Sequence, residues 1–433
     1  MRVSVVTQPV RNNALHAALS TSAWKIKRRF MAEFSTRSFP VNGVAMAILL
    51  RAPPRPSLED QMEDRYGHRI SYLRVSVTDR CNERCTYCMP RELQEWLPRE
   101  DVLTYEETLR LIRISADLGV SKVRITGGEP LTRRDVLGFF QQLPSIPGIN
   151  DIGISTNGTL LARPCSRRPV GDVRSAAPSL SHASHPPSPG FGVASSEAAT
   201  GDQAAPEETM ASALRAAGVN SVNISLDTLD REAYAATTGR DYLPQVFEGI
   251  DAAIAAKFPL IKLNCVLMRG RNDDQFIPLV EFAAERNLML RFIELMPVSH
   301  SDVLDESNFL AAGEARRRLE AHYGPLIPEP GFRTNGPSSY YKVPGRDQRL
   351  GFIGAMTNLH FCESCNKLRL TCDGKLRPCL GSYLEFDIMK VLRAGATDAE
   401  LRQFFLDVVE RKPEQHDFRE NYQPGRMMVA IGG

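Results

Sequence analysis

The chain has 433 residues, 42% hydrophobic and 24% charged, with a net charge of +2. That composition is ordinary for a folded chain, and its bulk charge selects neither nucleic acid nor a membrane surface as partner. No apolar run reaches the ~18 residues of a transmembrane helix, and the nine cysteines in so long a chain point to metal or redox chemistry rather than a disulfide scaffold.

Residues 1–65 form the first region. Before Glu59 its only acid is Glu33, against Arg2, Arg11, Lys25, Lys27, Arg28, Arg29, Arg37, Arg51 and Arg55. A basic, acid-poor stretch rich in Ser and Ala resembles a mitochondrial transit peptide, which predicts a matrix location. A disordered basic tail or a mis-assigned start codon is the alternative.

From Tyr72 onward strand-like and helix-like segments alternate. Residues 72–77, 122–126, 151–155, 221–226, 260–267 and 290–295 read as strands. Helices are predicted over 104–119, with a capping box from Thr104 to Glu107, and around 134–142, 208–219, 244–257 and 275–286. Strict alternation implies a parallel sheet with right-handed crossovers. Six units are too few to close a full barrel, so the fold class is α/β, an incomplete (βα)6 TIM-type barrel over residues 66–300. Its ligands belong at the C-terminal ends of the strands. Residues 301–433 form a C-terminal extension.

Strand parity supplies a functional signal. In "LRV" (73–75), "VRI" (123–125), "IKL" (261–263) and "LRF" (290–292) a cation lies between two apolar residues. Alternation places Arg74, Arg124, Lys262 and Arg291 on the face opposite those neighbours, inside the barrel. Like charges in so confined a space repel by about 4 kcal/mol per close pair at an effective dielectric of ~20. Four such cations favour a polyanionic ligand such as a triphosphate. Pairing with interior carboxylates, Glu294 among them, is the alternative.

Directly after the first strand comes "CNERCTYC", with Cys81, Cys85 and Cys88 spaced CxxxCxxC. Structural zinc sites use four protein ligands and paired CxxC units. Three thiolates on a four-iron cubane leave one iron open. A second set, Cys362, Cys365 and Cys379, brackets an Asp373-Gly374 turn signal between "KLRLT" and "KLRPC". A hairpin there returns Cys365 and Cys379 side by side, again one ligand short. Cys372, beside the turn, falls at the far end of the hairpin as a bystander, and zinc with a non-cysteine ligand is the alternative. Cys165 and Cys265 are isolated.

CxxxCxxC followed one strand later by Gly127-Gly128-Glu129-Pro130 resembles the radical S-adenosylmethionine superfamily. There the methionyl amine and carboxylate chelate the open iron and the Gly-Gly-Glu-Pro segment binds the amine. Further stretches, "LRVSVTDRCNERCTYCMP", "STNG", "NISLDTLD", "IKLNCVLMRGRNDD", "RFIELMPV", "FCESCNKLRL" and the terminal "IGG", resemble the GTP 3′,8-cyclase family of molybdenum cofactor biosynthesis. The likeness runs in order from Leu73 to Gly433.

The resemblance implies two [4Fe–4S] clusters with three cysteines each, S-adenosylmethionine as cosubstrate and GTP as substrate. It implies contacts of Tyr87, Gly128, Ser225 and Met296 with S-adenosylmethionine, and of Arg74, Arg124, Ser155 and Lys262 with GTP. After Cys365 the family presents two arginines, where this chain has Lys367 and Arg369. Lysine keeps the charge and loses the bidentate fork, which implies weaker stabilisation of substrate rather than loss of activity. The tail, Gly432 and Gly433, is implied to reach into the active site. An electron donor and the downstream cyclic pyranopterin monophosphate synthase are implied partners, with monomer and homodimer both open.

Between Gly158 and Val222 the chain is far longer than the 15–20 residues or so a crossover helix needs. The excess, about residues 164–206, is rich in Pro, Ser and Ala and reads as a disordered insertion, its His182 and His185 solvated. A translated intron, or an inactive paralogue, is the alternative. A radical enzyme acting on a peptide, or a non-catalytic iron or zinc protein, needs no set of inward cations.

Overall fold

The computed structural model describes residues 61–92, 95–165, 208–299, 304, 307–334, 336–420, 422 and 425–432. The targeting expectation, most of the insertion and Gly433 lie outside these residues.

Six parallel strands follow one another in sequence order: β1 (Tyr72–Ser76), β2 (Lys122–Thr126), β3 (Asp151–Thr156), β4 (Ser221–Ser225), β5 (Leu260–Leu267) and β6 (Met289–Glu294). The helices among them are α1 (Tyr105–Asp117), α2 (Val136–Gln142), α3 (Met210–Ala216), α4 (Arg231–Thr238), α5 (Leu243–Ala255) and α6 (Phe276–Glu285). The capping box at the start of α1 is present, with Thr104 and Glu107 each accepting the other's backbone N–H. Alternation explains the layering. Leu73, Val75, Val123, Ile125, Ile152, Ile154, Val222, Ile224, Leu263 and Leu290 are buried in the core under the helices, and their strand neighbours face the barrel interior. Sequence reading missed α4, a short helix whose cap, Asp230, accepts the Ala233 N–H at 2.7 Å.

After α7 (Ala312–Tyr323) the chain supplies β7 (Ile327–Pro328), β8 (Ser339–Lys342), β9 (Arg349–Ile353), β10 (Lys367–Leu370), β11 (Lys375–Arg377) and β12 (Phe386–Asp387). The helices α8 (Ile388–Arg393), α9 (Asp398–Glu410) and α10 (Met428–Ile431) follow. β9 pairs parallel to β6 and β10 parallel to β1. The C-terminal region thus completes both edges of the six-stranded sheet, covering backbone groups that an open barrel leaves exposed. The order β12-β11-β10-β1-β2-β3-β4-β5-β6-β9-β8-β7 does not close on itself, so the barrel is incomplete.

Where the insertion was read, the chain leaves and returns at one point. Cys165 donates its N–H to the Glu208 carbonyl at 2.7 Å and Met210 donates to the Arg163 carbonyl at 2.8 Å.

Candidate active site

The cysteine loop leaves the C-terminal end of β1 held between two neighbours. The Gly128 N–H donates to the Thr78 carbonyl at 2.7 Å and the Glu129 N–H to the Arg80 carbonyl at 2.8 Å. A Cβ on Gly128 would stand 2.3 Å from the Arg80 carbonyl oxygen, so glycine is what lets the two loops touch. On the other side, Arg84 and Thr86 donate backbone N–H groups to the carbonyls of Thr238 and Thr237 at 2.7 and 2.9 Å. Cys81, Cys85 and Cys88 are free thiols. Burial raises all three, with Glu129 adding to the effect at Cys81 and Glu83 at Cys85; the Cys88 thiol is pushed up to about 12. Such thiols give up their protons to a cationic core, which suits an iron–sulfur cluster. Among the described residues no group of three or more His, Cys, Asp or Glu is placed to share one metal ion.

Acids gather at this end of the barrel. Glu129 accepts the Asn157 N–H at 2.8 Å, the Leu131 N–H at 3.0 Å and the Thr156 hydroxyl at 2.9 Å, yet burial lifts it to about 7. Glu83, which accepts from the Tyr234 hydroxyl, is likewise raised by burial to about 7. Asp227, on the loop after β4, accepts the Tyr87 hydroxyl at 2.7 Å and the Val266 N–H at 2.8 Å, and burial brings it to about 6.

Cations gather within the strands. A cavity of about 270 Å³ is lined by Arg74, Arg124, Lys262 and Arg291, as parity predicts, and also by Lys122, Lys367 and Arg369. In register, Arg74 lies opposite both Arg124 and Arg369. Side-chain and backbone oxygens hold two of the strand cations in place. Arg124 donates to the Tyr72 hydroxyl at 2.9 Å, the Ile154 carbonyl at 2.8 Å and Ser221 Oγ at 2.8 Å. Arg291 donates twice to Asn264 Oδ1, at 2.9 and 2.6 Å. Lys122 pairs with Asp151. Burial, then Arg291, Arg124 and Lys122, hold Lys262 down to about 6. Burial alone would raise the Tyr72 hydroxyl, but Arg124, Arg74, Lys122 and Lys367 bring it to about 7.

Glu294 is not the counter-ion considered above. It lies on the opposite face of β6, where it accepts N–H groups from Ala312 at 2.9 Å, Met356 at 2.7 Å and Thr357 at 3.1 Å. The period of two already separates it from Arg291.

The second set of thiols faces the same cavity: Cys362, Cys365 and Cys379 all line it, together with Ser155, Ser225 and Met296. The hairpin forms as read, with Arg369 opposite Arg377 and Leu370 opposite Leu376. Cys372 sits apart at the turn, buried beside Ser76, Asp79 and Arg133. Burial opposes ionisation of Cys365, but the ammonium groups of Lys412 and Lys367 outweigh it and lower that thiol. The tail enters from above. Arg369 Nη1 donates to the Gly432 carbonyl at 2.8 Å, and Gly432 has φ +87° with no room for a side chain beside Thr126 and Ser76. Tyr87, Gly128 and the first three cysteines lie outside the cavity lining. A larger depression of about 610 Å³ near Phe258 and Arg349 contains no cysteine and lies at the other end of the strands.

Tyr72, Lys122, Asp227 and Lys412 escaped the sequence reading. Tyr72 and Lys122 share the parity of Arg74 and Arg124, so that signal was present; Asp227 and Lys412 carry no periodic signal.

A partial parallel barrel with three thiols after its first strand and Gly-Gly-Glu-Pro after its second defines a radical S-adenosylmethionine enzyme. The chain matches the Radical SAM superfamily over residues 75–177 and 195–283, and Molybdenum Cofactor Synthesis C over residues 288–418. The GTP 3′,8-cyclase of Ectopseudomonas mendocina is 41% identical over 381 residues, 86% of this chain and 99% of that protein. Those of Thermodesulfovibrio yellowstonii and Moorella thermoacetica are each 38% identical, over 373 and 372 residues, covering 86% of this chain and all of theirs. The chain belongs to the GTP 3′,8-cyclase family.

Proposed function

We propose that this chain converts GTP to (8S)-3′,8-cyclo-7,8-dihydroguanosine 5′-triphosphate, the first step of molybdenum cofactor biosynthesis. The polarity of the site carries the reading: cations line the cavity within the strands, and acids collect on the loops at their C-terminal ends. A triphosphate suits the first region. The second suits a cosubstrate bearing a sulfonium and an ammonium. A peptide substrate brings no polyanion to the face that carries Arg74, Arg124, Lys262 and Arg291.

In this reading Cys81, Cys85 and Cys88 hold one [4Fe–4S] cluster and Cys362, Cys365 and Cys379 a second, each leaving one iron for an exchangeable ligand. When bound, the first cluster supplies the electron that opens S-adenosylmethionine and so starts hydrogen abstraction from the ribose. The chain's own residues do the positioning. Asp227 holds the Tyr87 hydroxyl, orienting that ring, with Gly128, Ser225 and Met296, toward the cosubstrate. Arg74, Arg124, Lys262 and Ser155 bind and orient the nucleotide, with Lys367 and Arg369 beside it. The docked tail at Gly432 excludes water. An external electron donor is required, and the product passes to cyclic pyranopterin monophosphate synthase. The basic composition of residues 1–65 supports work in the mitochondrial matrix.

Anaerobic reconstitution of the full chain tests the reading. About eight irons per chain are expected, with GTP consumed only when S-adenosylmethionine is present. Zinc in place of iron, or cosubstrate cleavage with no cyclised nucleotide, overturns it.

A further inference from the structure

Lys412 follows α9 and is only 3% exposed. Its Nζ donates to the Pro378 carbonyl at 2.6 Å, to the Lys367 carbonyl at 3.3 Å and to Cys365 Sγ at 3.5 Å. An ammonium has three N–H groups, and these contacts direct all of them at the cysteine hairpin: one to each arm and one to a thiol. Pro378 immediately precedes Cys379, so the same ammonium reaches the backbone next to one cluster cysteine and the sulfur of another. Among the described residues no carboxylate pairs with it. A buried ammonium that met only carbonyls would be a poor arrangement. The acidic group it touches is the Cys365 thiol, which the Lys412 ammonium helps to lower.

We propose that Lys412 is the positioning and charge-balancing residue of the hairpin cluster, fixing Cys365 relative to Cys379 and raising the cluster's reduction potential. The inference rests on the two-cluster reading above. A [4Fe–4S]2+ core with three thiolates carries one net negative charge and gains another on reduction. A fixed cation donating to a cluster sulfur favours the more negative, reduced form, and hydrogen bonds to sulfur are a recognised lever on such potentials. The sequence gives no hint of this role, because Lys412 lies well beyond the cysteine motif.

The test uses the full reconstituted chain, with iron content and an electron paramagnetic resonance redox titration of both clusters. Wild-type chain must first show about eight irons; about four signals failure of the two-cluster reading itself, and the inference falls with it. Given two clusters, Lys412→Gln is expected to shift the hairpin cluster to a more negative potential and leave the first cluster where it was. Lys412→Arg should restore the wild-type value. Selective loss of the hairpin cluster in Lys412→Gln, with retention in Lys412→Arg, supports the same role. An unchanged hairpin potential in Lys412→Gln overturns the inference, as does failure of arginine to rescue. Loss of both clusters together in Lys412→Gln also overturns it, since that marks a general packing role.

Discussion

Arg369 donates to the carbonyl of Gly432 at 2.8 Å, joining the arm of the cysteine hairpin to the penultimate residue of the chain. The same arginine lies opposite Arg74 in the β1–β10 ladder, so the tail is tied to the ring of cations. Arg426 adds a second tie, to Asp373 at the hairpin turn.

The tail tolerates no side chain at that point. Gly432 sits at φ +87°, and a Cβ there would meet Thr126 Oγ1 at 2.5 Å and Ser76 Cβ at 2.9 Å. Gly432→Ala should therefore displace the tail and leave the barrel core alone. We expect turnover to fall about a hundredfold, the scale of an ångström-sized misplacement at a reacting centre, with little change in melting temperature. Steady-state GTP consumption and thermal unfolding check this together; wild-type turnover in the alanine variant sinks it.

Nucleotide binding should take up a proton. The Lys262 ammonium is held down to about 6 by burial and by Arg291, Arg124 and Lys122, so near neutral pH the free protein carries it mostly uncharged. A bound triphosphate favours the charged form and raises it. The free state then holds fewer protons than the complex between the two values, and affinity falls as pH rises across that window, by up to about tenfold per unit. Calorimetry in two buffers of different ionisation enthalpy measures the uptake directly. A Lys262→Met variant with an unaltered pH profile would show that another group is responsible.

Much of this site was legible because strands have a period of two. That period puts Arg74, Arg124, Lys262 and Arg291 on one face, and the cavity lining agrees. It also carries Tyr72 and Lys122, whose signal is weaker because each follows a serine rather than an apolar residue. The edges were not legible. β9 pairs with β6 and β10 with β1, and such long-range pairing leaves no local mark in sequence. Asp227 shows the same limit: its role comes from burial and from Tyr87, far away in the chain.

Glu294 offers a stability test separate from function. It is fully buried and accepts three backbone N–H groups, from Ala312, Met356 and Thr357. Glu294→Ala leaves those donors without their acceptor, at a cost of about 1–3 kcal/mol for each one that stays buried and unpaired. Urea unfolding should show the loss. Nucleotide affinity of the folded fraction should stay near wild type, since Glu294 faces away from the cations; an equal loss of affinity would return it to the cavity.

Iron content separates ligands from bystanders at the hairpin. Cys372→Ala should retain about eight irons per chain, whereas Cys379→Ala should hold about four, the complement of one cubane. The reason is placement. Cys379 lines the cavity with Cys362 and Cys365, while Cys372 is buried beside Ser76, Asp79 and Arg133 at the far end of the turn. Loss of iron in Cys372→Ala would bring a fourth thiolate into the site and close its open iron.

The long segment between β3 and α3 is predicted to be dispensable. Its ends are pinned together: Cys165 donates to the Glu208 carbonyl at 2.7 Å, Met210 donates to the Arg163 carbonyl at 2.8 Å, and Pro164 and Thr209 form an antiparallel bridge. A two-residue Gly-Asn turn in place of residues 166–207 spans such a pair. The superfamily match is itself interrupted at residues 178–194, between its two matched stretches. Shortening the loop lowers the entropy of closing it, so unfolding free energy should rise by about 1–3 kcal/mol. GTP consumption should be unchanged, because both cysteine sets and the cavity-lining cations lie in other parts of the chain. A deletion variant that folds, binds both clusters and fails to consume GTP would give the segment a part in the reaction.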